Sequence, residues 1–429
     1  MKQLALYILI FFSANSCLAQ THTFSILNPL AVERTDELIR LKRTDIEKQF
    51  GNIADGKFIE IKDAENNAVV VQLNDLNDDK KWDEAVFLYS FKPKQKEIFS
   101  INITDENSNA NTIARAHVRL RKKDADDKFG DIISKEIMPD KNPPTDFSKQ
   151  PLPLYLTEGV AWENDKLAFR LYFDTRNGKD IFGKIIPGMV MDSVGANVNA
   201  SYHNLSNWGM DVLHVGNSLG GGAVAFKLNE NGKDTLIRLG GDNITKETYE
   251  QIADGPLLAI FRITYNWMLH NKPVEIIDET SIWGGQYFYQ TKISIKNAPK
   301  NVELVSGIAD FNQNESGDFT KDNAAVLYST GPQSENHDWL DMAVIIPKKN
   351  YTSIGEAPKE NHNGPVVYKQ KIFDTHYITQ TIHDDDPAVF RFYAGWEKTN
   401  KNFASADYFK NFLKDQAVLF STPVKVIWK

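Results

Sequence analysis

Short apolar segments alternate with turns rich in Asn, Asp and Gly along most of the chain. Many of these segments place apolar and polar residues in turn, and a period of two is typical of strands with one buried face. We therefore predict an all-β fold, a large antiparallel β-sandwich or supersandwich with a few short helices. The strand-like segments are 57–62, 68–73, 85–91, 97–103, 166–174, 211–216, 222–228, 257–269, 274–280, 286–296, 302–309, 341–346, 366–371, 376–382 and 388–397.

Two segments carry helical signals. Ile244–Asp254 contains Thr245, a residue type that caps helices, and is followed by Gly255, a residue type that ends them. Ser405–Lys414 begins with a serine cap and places its aromatic and aliphatic residues on one side. We predict a short helix at each position.

The amino terminus predicts export. Residues 2–12 combine a lysine with an apolar run, and a small-residue cleavage site follows at Ala19, so residues 1–19 have the pattern of a secretory signal peptide. We expect a periplasmic or secreted protein. A lipid anchor at Cys17 is the less favoured alternative, because Ala14 rather than Leu stands three residues before it. No apolar run reaches the ~20 residues of a membrane span, so we expect none.

A proline-rich stretch divides the remaining chain. Residues 111–140 are charged and loop-like, and 139–153 contain five prolines, as linkers and long crossing loops do. We place a boundary here. The prediction is an N-terminal β portion at 20–140 and a main β-supersandwich portion with the catalytic site at 141–429.

Composition narrows the possible partners. The net charge of −8 and the pI of about 5.7 argue against a nucleic-acid partner, and an anionic substrate would need a local basic pocket. Aromatic residues form 11% of the chain and include 8 tryptophans. Their flat rings suit sugars, although large β cores use aromatic residues as well. Removal of Cys17, the only cysteine, leaves the exported chain without disulfides.

Alternation sorts the faces of three strand-like segments. In residues 161–174, Trp162, Arg170 and Tyr172 share one face. In 257–269, Arg262 shares its face with polar residues, and in 388–397, Arg391 shares its face with a tyrosine. Arginine holds a carboxylate through two parallel hydrogen bonds, so such faces suit a sugar acid. The alternative is a salt-bridged face exposed to solvent.

Polar loops supply candidates for acid–base chemistry. The densest polar segment, residues 201–211, precedes an apolar strand, and sites are commonly built from loops at strand ends. His203 is the first candidate for a general acid or base, and His337, beside a carboxylate in a second polar loop, is the next. A structural histidine is the alternative for each. The chemically active members of the first segment are Tyr202, His203, Trp208 and Asp211.

An acidic turn resembles a calcium loop. Asp75, Asn77, Asp79 and Asp83 stand at positions 1, 3, 5 and 9 of such a loop, and alternating oxygen ligands suit a hard cation. A lysine replaces the expected glycine and a valine replaces the bidentate glutamate, so a plain acidic turn is the alternative. A structural Ca²⁺ is the one cofactor considered, because the sequence contains no local zinc motif.

Several stretches together resemble a known family. They are Glu158–Glu163 with Phe169–Tyr172, Tyr202–His203 with Trp208–Asp211, Ala253–Pro256, and the turn from Gln72 to Glu84. Their order and spacing are similar to those of a family first catalogued as a domain of unknown function in marine polysaccharide-degrading bacteria. One branch resembles the oligosaccharide dehydratase of the ulvan pathway. The resemblance covers nearly all of the mature chain and implies a β-supersandwich similar to mutarotase-like sugar enzymes.

The resemblance implies a hydro-lyase. Such an enzyme removes water from a saturated uronic acid at the non-reducing end of an ulvan oligosaccharide and leaves a 4,5-unsaturated uronyl end. The chemistry needs a group that neutralises the carboxylate, a base for the C5 proton and an acid for the leaving hydroxyl. The respective candidates are Arg262 or Arg170, His203 or Tyr202, and His337 or Tyr265. The candidates for substrate binding are Trp162, Tyr172, Trp208, Asp211, Tyr265 and Trp283, with the three tryptophans as a stacking floor.

Two other classes of function remain open. A glycoside hydrolase needs two carboxylates that flank one bond, for which Glu163 and Asp211 are available. A non-catalytic carbohydrate-binding protein would keep the aromatic and arginine faces without needing any histidine.

Overall fold

The computed structural model describes residues 22–107, 112–139, 142–230, 232–360 and 371–428. The predicted signal peptide, with Cys17, and most of the strand predicted at 366–371 lie outside these residues. The two helices of the described residues are α1 (Arg43–Phe50) and α2 (Ala406–Ser421), and 3₁₀ turns lie at Leu156–Glu158, Gly241–Asn243, Lys348–Asn350 and Lys401–Ala404. The strands are β1 (His22–Leu27), β2 (Arg34–Lys42), β3 (Phe58–Lys62), β4 (Ala68–Val69), β5 (Gln72–Asn74), β6 (Glu84–Phe91), β7 (Lys96–Thr104), β8 (Ala116–Arg119), β9 (Lys135–Ile137), β10 (Gly159–Asn164), β11 (Leu167–Tyr172), β12 (Lys179–Lys184), β13 (Gly209–Asp211), β14 (Gly221–Glu230), β15 (Lys233–Arg238), β16 (Ile244–Asp254), β17 (Leu258–Leu269), β18 (Lys272–Trp283), β19 (Phe288–Lys296), β20 (Val302–Ala309), β21 (Glu315–Lys321), β22 (Ala324–Thr330), β23 (Leu340–Pro347), β24 (Tyr351–Glu356), β25 (Thr375–Thr381), β26 (Ala388–Trp396) and β27 (Lys425–Trp428).

Two antiparallel sheets pack face to face to form the body. We call them the front sheet, in the order β13-β12-β11-β10-β8, and the main sheet, in the order β21-β22-β23-β26-β19-β18-β17-β16-β9. Their inner faces share one core, in which the ring of Trp162 lies 5.0 Å from Phe261 and 5.3 Å from Tyr289 between centroids. A third sheet, β15-β14-β20-β25-β24, extends this core. The predicted all-β antiparallel sandwich is confirmed.

Two smaller sheets form the amino-terminal part. Their orders are β27-β1-β7-β3-β4 and β2-β6-β5, and they enclose a core that includes Phe24, Phe87 and Phe99. Val86 of β6 packs with Leu258, so this part covers the outer face of the main sheet. The strand β27 returns from the far end of the chain to pair with β1, while β8 and β9 belong to the body. The boundary predicted at residue 140 therefore does not coincide with a boundary between sheets.

One helix prediction is confirmed and the other is wrong. The helix α2 begins after Ser405, whose Oγ accepts a hydrogen bond from the backbone N–H of Tyr408 at 3.3 Å. Ile244–Asp254 is instead the strand β16, paired with β17 along its length and with β9. Its tyrosine, Tyr249, enters the core, and its β-branched residues favour a strand. Pairing on both edges outweighs the local capping signal.

A buried ion pair connects the two sheets of the body. Lys179 of β12 and Asp278 of β18 are 1% and 2% exposed, and the lysine Nζ lies 3.3 Å from the carboxylate. Burial lowers the pKa of Lys179, and the neighbouring Asp278 opposes this effect. An unpaired charge in such a core is strongly destabilising. We infer that the pair holds the two inner faces in one relative position.

We predict that Asp278→Ala costs about 3–5 kcal/mol in the free energy of unfolding, because it leaves the Lys179 ammonium buried without a partner. Urea unfolding followed by circular dichroism measures the cost. The matched control is Glu275→Ala in the same strand, which breaks an exposed pair with Lys296 and should cost about 1 kcal/mol or less. Equal losses in the two variants would contradict the importance of the buried pair.

Candidate active site

The candidate site lies on the face of the front sheet that points away from the core. Strand pairing places Arg170 of β11 opposite Asp180 of β12, so the two share this outer face. Their neighbours Phe169 and Ile181 are also paired and belong to the inner core. Alternation along two adjacent strands thus brings charged side chains together on one side of the sheet.

Residues 201–209 of the predicted polar segment 201–211 pack on this outer face. The rings of Tyr202 and Trp208 lie 5.8 and 6.3 Å from the ring of Phe182. The segment returns to the sheet at Gly209, which has φ 137°, and an added Cβ there would stand 1.8 Å from the carbonyl oxygen of Gly183. Glycine is required for this close approach, and it fixes where the segment meets β12.

The buried side chain of Arg170 lies beneath the site and contacts several of its residues. Its side chain is 2% exposed, its Nε and Nη2 lie 2.9 and 2.6 Å from Asp180, and its Nη2 lies 3.1 Å from Asp211. Nη1 donates to the hydroxyl of Tyr202 at 3.2 Å, and Nη2 donates to the hydroxyl of Tyr172. The guanidinium is therefore occupied by protein groups. Its contact with Tyr202 orients that hydroxyl beside a fixed positive charge.

His203 is held by two carboxylates. Its Nδ1 lies 2.9 Å from Glu335 and 3.7 Å from the buried Asp211. The backbone N–H of Glu335 donates to the carbonyl of Val212 at 2.9 Å, so the loop that carries Glu335 is bound to the strand after the polar segment. His214, two residues further, has its Nδ1 3.9 Å from the same glutamate.

We call Tyr202, His203, Asp211, His214 and Glu335 the His203 cluster. Burial would raise the pKa of Glu335, but the hydrogen bond from His203 and the nearby His214 outweigh it and hold the pKa at about 2. The neighbouring carboxylate of Glu335 raises the pKa of His214. Burial, together with the nearby Asp180, raises the pKa of Asp211 well above its ordinary value. The cluster thus combines an ionised carboxylate with two accessible imidazoles.

The remaining predicted residues near the cluster have different surroundings. His337 is exposed in the same loop as Glu335, with φ 64°, and its backbone N–H donates to Ser334. Tyr172 is 6% exposed, and its hydroxyl donates to Asp180 at 2.9 Å. The placement of Arg170 and Tyr172 corrects the prediction that they contact substrate. Both side chains are buried beneath the cluster and support it.

Two predicted site residues lie inside the core. Trp162 is 1% exposed and stacks with Phe169 at 5.7 Å. The turn after β10 reverses the chain so that Ala161, rather than Trp162, is paired with Arg170. Tyr265 is fully buried, and its hydroxyl lies 3.3 Å from the side-chain oxygen of Asn177. The predictions that Trp162 binds sugar and that Tyr265 acts as an acid are therefore wrong for this arrangement.

Arg262 and Trp283 lie on the other side of the body. Their strands place them on the outer face of the main sheet, since Phe261 and Ile282 point into the core. Arg262 is paired with Glu279 at 2.8 Å, and Trp283 is 5% exposed. Both sheets separate them from the His203 cluster. This topology corrects two predictions. Arg262 does not converge with His203, and Trp162, Trp208 and Trp283 do not form one stacking floor.

The acidic turn binds its own backbone. Asp75 accepts hydrogen bonds from the N–H groups of Asn77, Asp79 and Lys80, and Asp83 accepts one from Leu76. In the described residues, no group of three or more His, Cys, Asp or Glu side chains is arranged to hold a metal ion. The calcium role stays a prediction. Across the same described ranges, no helix is long and apolar enough to cross a membrane.

Sequence reasoning missed Glu335 and His214 as members of the site. Glu335 lies two residues before His337 and so belongs to the second polar loop of the sequence analysis. His214 interrupts the apolar run from Val212 to Val215, and a polar imidazole within such a run was the available signal. Their meeting depends on a loop more than 100 residues away, since residue 335 follows 214 by 121 positions.

We predict that acid unfolding depends on Glu335. A carboxyl whose folded pKa lies below its ordinary 4.5 contributes stability above pH 4.5 and loses it as the pH falls towards about 2. Glu335→Gln should flatten the pH dependence of the free energy of unfolding between these two values, as measured by urea unfolding at a series of pH values. Parallel curves for the variant and the parent would contradict the pairing with His203 and His214.

Comparison with known proteins adds two likenesses. Over 301 residues the chain is 23% identical to "Uncharacterized protein P7" of Formosa agariphila, an alignment that covers 63% of this chain and 67% of that protein. An α-mannosidase from Enterococcus faecalis V583 aligns over 95% of this chain with a TM-score of 0.44 and 10% identity. The chain spans 46% of that mannosidase. A structural likeness this weak supports no conclusion about activity.

The family match is broader. Residues 26–426 match the family described as a domain of unknown function, DUF4861. This range runs from the first strand to the last and includes every member of the His203 cluster. The protein therefore belongs to the DUF4861 family.

Proposed function

We propose that the protein is an enzyme of carbohydrate degradation that removes water from a saturated uronic acid at the non-reducing end of ulvan-type oligosaccharides. The observation that carries the proposal is the His203 cluster, in which an imidazole and a phenol lie side by side with a charged partner for each. The substrate class comes from the resemblance of the sequence motifs. The predicted signal peptide would deliver such an enzyme to the periplasm or beyond.

His203 is the proposed base. An Nδ1–H that donates to Glu335 leaves Nε2 with its lone pair free to accept a proton, so the tautomer follows from the hydrogen bond. The ionised Glu335 also stabilises the imidazolium that forms. The imidazole is about half exposed, so the C5 proton of a bound uronic acid can reach it.

Tyr202 is the proposed acid. Its ring centroid lies 4.6 Å from that of His203, a spacing that lets the two groups act on neighbouring carbons of one sugar ring. Hydroxide is a poor leaving group and needs a proton as it departs. When Tyr202 donates that proton, the phenolate is stabilised by Arg170, whose Nη1 lies 3.2 Å from the oxygen.

His214 replaces the arginines as the proposed partner of the sugar carboxylate. Its ring is exposed and packs edge-on against Phe311 at 4.8 Å. Because Glu335 raises its pKa, the protonated form extends to higher pH than for a free histidine. A cation at this position would make the C5 proton more acidic and stabilise the enolate-like transition state.

The positions of Glu163 and Asp211 argue against a glycoside hydrolase that uses these two carboxylates. Glu163 is fully buried, with Lys184 Nζ 2.6 Å from its carboxylate, and Asp211 is 1% exposed. Neither side chain is accessible enough to flank a glycosidic bond. Binding without catalysis stays a possible outcome of the experiments, since a saccharide could occupy the cluster without reacting.

The deciding experiment incubates the purified protein with ulvan oligosaccharides that end in a saturated uronic acid. We expect a product lighter by one water in mass spectrometry, together with ultraviolet absorbance from the new double bond. Release of a free sugar would indicate hydrolysis instead. An unchanged oligosaccharide that still binds in calorimetry would indicate a non-catalytic role.

We predict that His203→Ala lowers kcat about 10²–10⁴-fold, because the base is lost. The rate of increase in absorbance measures the effect. Arg262→Gln is the matched control, since it removes a charge on the opposite side of the body and should leave the rate near that of the parent. A folded His203→Ala protein with full activity would exclude His203 as the base.

We predict that Tyr202→Phe lowers kcat about 10²-fold with little change in KM, since it removes the proton donor while keeping the ring. Tyr172→Phe is the control, because it removes another hydroxyl beside Arg170 from a buried position. Its effect on kcat should be clearly smaller. Similar losses in both variants would show that the hydroxyls act only by positioning Arg170.

A further inference from the structure

A second cleft lies on the outer face of the main sheet. It is bounded by residues 31–37 at the start of β2 in the amino-terminal part, by the turn between β18 and β19, and by the helix α2. Its volume is about 620 Å³, within the range of about 300–1,000 Å³ that is usual for small-molecule sites. The two sheets of the body separate it from the His203 cluster, so it is a different site.

Arg391 of β26 forms the floor of this cleft. Its guanidinium carbon lies 4.4 Å from the ring centroid of Phe288, 5.4 Å from Trp283 and 5.2 Å from Phe420. Its Nε donates to the side-chain oxygen of Gln290 at 3.1 Å. Among the residues that the structure describes, no carboxylate forms an ion pair with Arg391. The hydroxyl of Tyr393 also interacts with this guanidinium. The charge of Arg391 is therefore oriented by aromatic rings, a hydroxyl and an amide, but no carboxylate among the described residues neutralises it.

Arg262 lies on the same face of the same sheet but differs from Arg391, because it has carboxylate partners. Its two terminal nitrogens lie 3.5 Å from Glu250 and 2.8 Å from Glu279. Arg262 is thus paired with two neighbouring glutamates. Arg391 instead keeps its fork available to a carboxylate or sulfate, which it can bind through two parallel hydrogen bonds.

Two acidic residues of the cleft wall are paired with other arginines. Asp36 is paired with Arg115 at 2.8 Å, and Glu37 is paired with Arg34 at 3.0 Å. Each is thus held by an arginine of its own. These two acidic residues therefore pair with arginines other than Arg391.

The remaining lining suits a sugar. Gln286 and Gln416 supply amide groups, Tyr287 supplies a half-buried ring, and Lys166 adds a second cation. Glu33 and Asp415 are exposed at the rim. Hydroxyl groups of a saccharide can pair with the amides while one ring face packs on the tyrosine.

We propose that this cleft is a second saccharide-binding site that holds a sugar acid through Arg391. The choice of a sugar acid rests on the proposed function, whereas the binding of an anion to Arg391 rests on the geometry of the cleft alone. A site on the opposite side of the body from the His203 cluster would hold an oligosaccharide without entering the reaction.

The test uses calorimetry on the full chain with His203→Ala, so that the probe is not consumed. The probes are an ulvan-type tetrasaccharide ending in glucuronate and the same tetrasaccharide with its carboxyl groups reduced to alcohols. Adding Arg391→Gln should weaken binding of the acidic probe at this site about tenfold or more, because a charge-assisted bidentate contact is lost. Adding Arg262→Gln should leave it unchanged.

A second variant separates binding from bracing of the aromatic rings. Leu419→Trp narrows the cleft from α2 while Arg391 stays, and it should weaken binding of the same probe. Equal affinity with and without Arg391→Gln, or equal affinity for the acidic and the reduced probe, would overturn the proposal. Turnover by the parent protein tests the proposed function separately, because a chain without dehydratase activity can still lose binding on Arg391→Gln.

Discussion

The buried guanidinium of Arg170 is the interaction on which the candidate site depends. A charge that is 2% exposed requires partners, and Arg170 has Asp180 on the neighbouring strand and Asp211 beyond it. These contacts, with the hydrogen bond to Tyr202, fix Asp211 at the end of β13 and the hydroxyl of Tyr202 beside the guanidinium. Loss of either carboxylate would leave the charge of Arg170 unbalanced beneath the reacting groups. The network therefore affects both the stability of the fold and the geometry of the site.

The two faces of the body carry different chemistry because strands alternate. The outer face of the front sheet presents Arg170, with the His203 cluster above it. The outer face of the main sheet presents Arg262 and Arg391, with Trp283 beside the latter. The core between the sheets prevents these groups from meeting, since it is filled largely by aromatic and aliphatic side chains of the inner faces.

Two of the motifs that carry the family resemblance have a structural explanation. Gln72 inserts its side chain into the segment around Gly255, where its oxygen accepts from the N–H groups of Leu257 and Leu258 at 2.9 Å. An added Cβ at Gly255 would stand 2.4 Å from the amide carbon of Gln72. The glutamine and the glycine therefore belong to one contact, which fastens the amino-terminal part to the main sheet, and they need no role in catalysis.

The sequence by itself determined the class of fold, the helix capped by Ser405 and the polar segment that contains Tyr202, His203 and Asp211. These are local properties, because period-two alternation, a capping serine and a dense polar loop are readable within a few residues. Tertiary structure decided the rest. The strand at Ile244–Asp254 forms because both of its edges are paired, and Trp162 enters the core because the turn after it sets the strand register. Glu335 reaches His203 only because its loop is hydrogen-bonded to the segment just after β13, more than 100 residues earlier in the chain. Whether Arg262 faces the core or the outside depends on which face of the main sheet is covered by the front sheet. Such contacts join distant positions whose separation leaves no periodic trace in the chain.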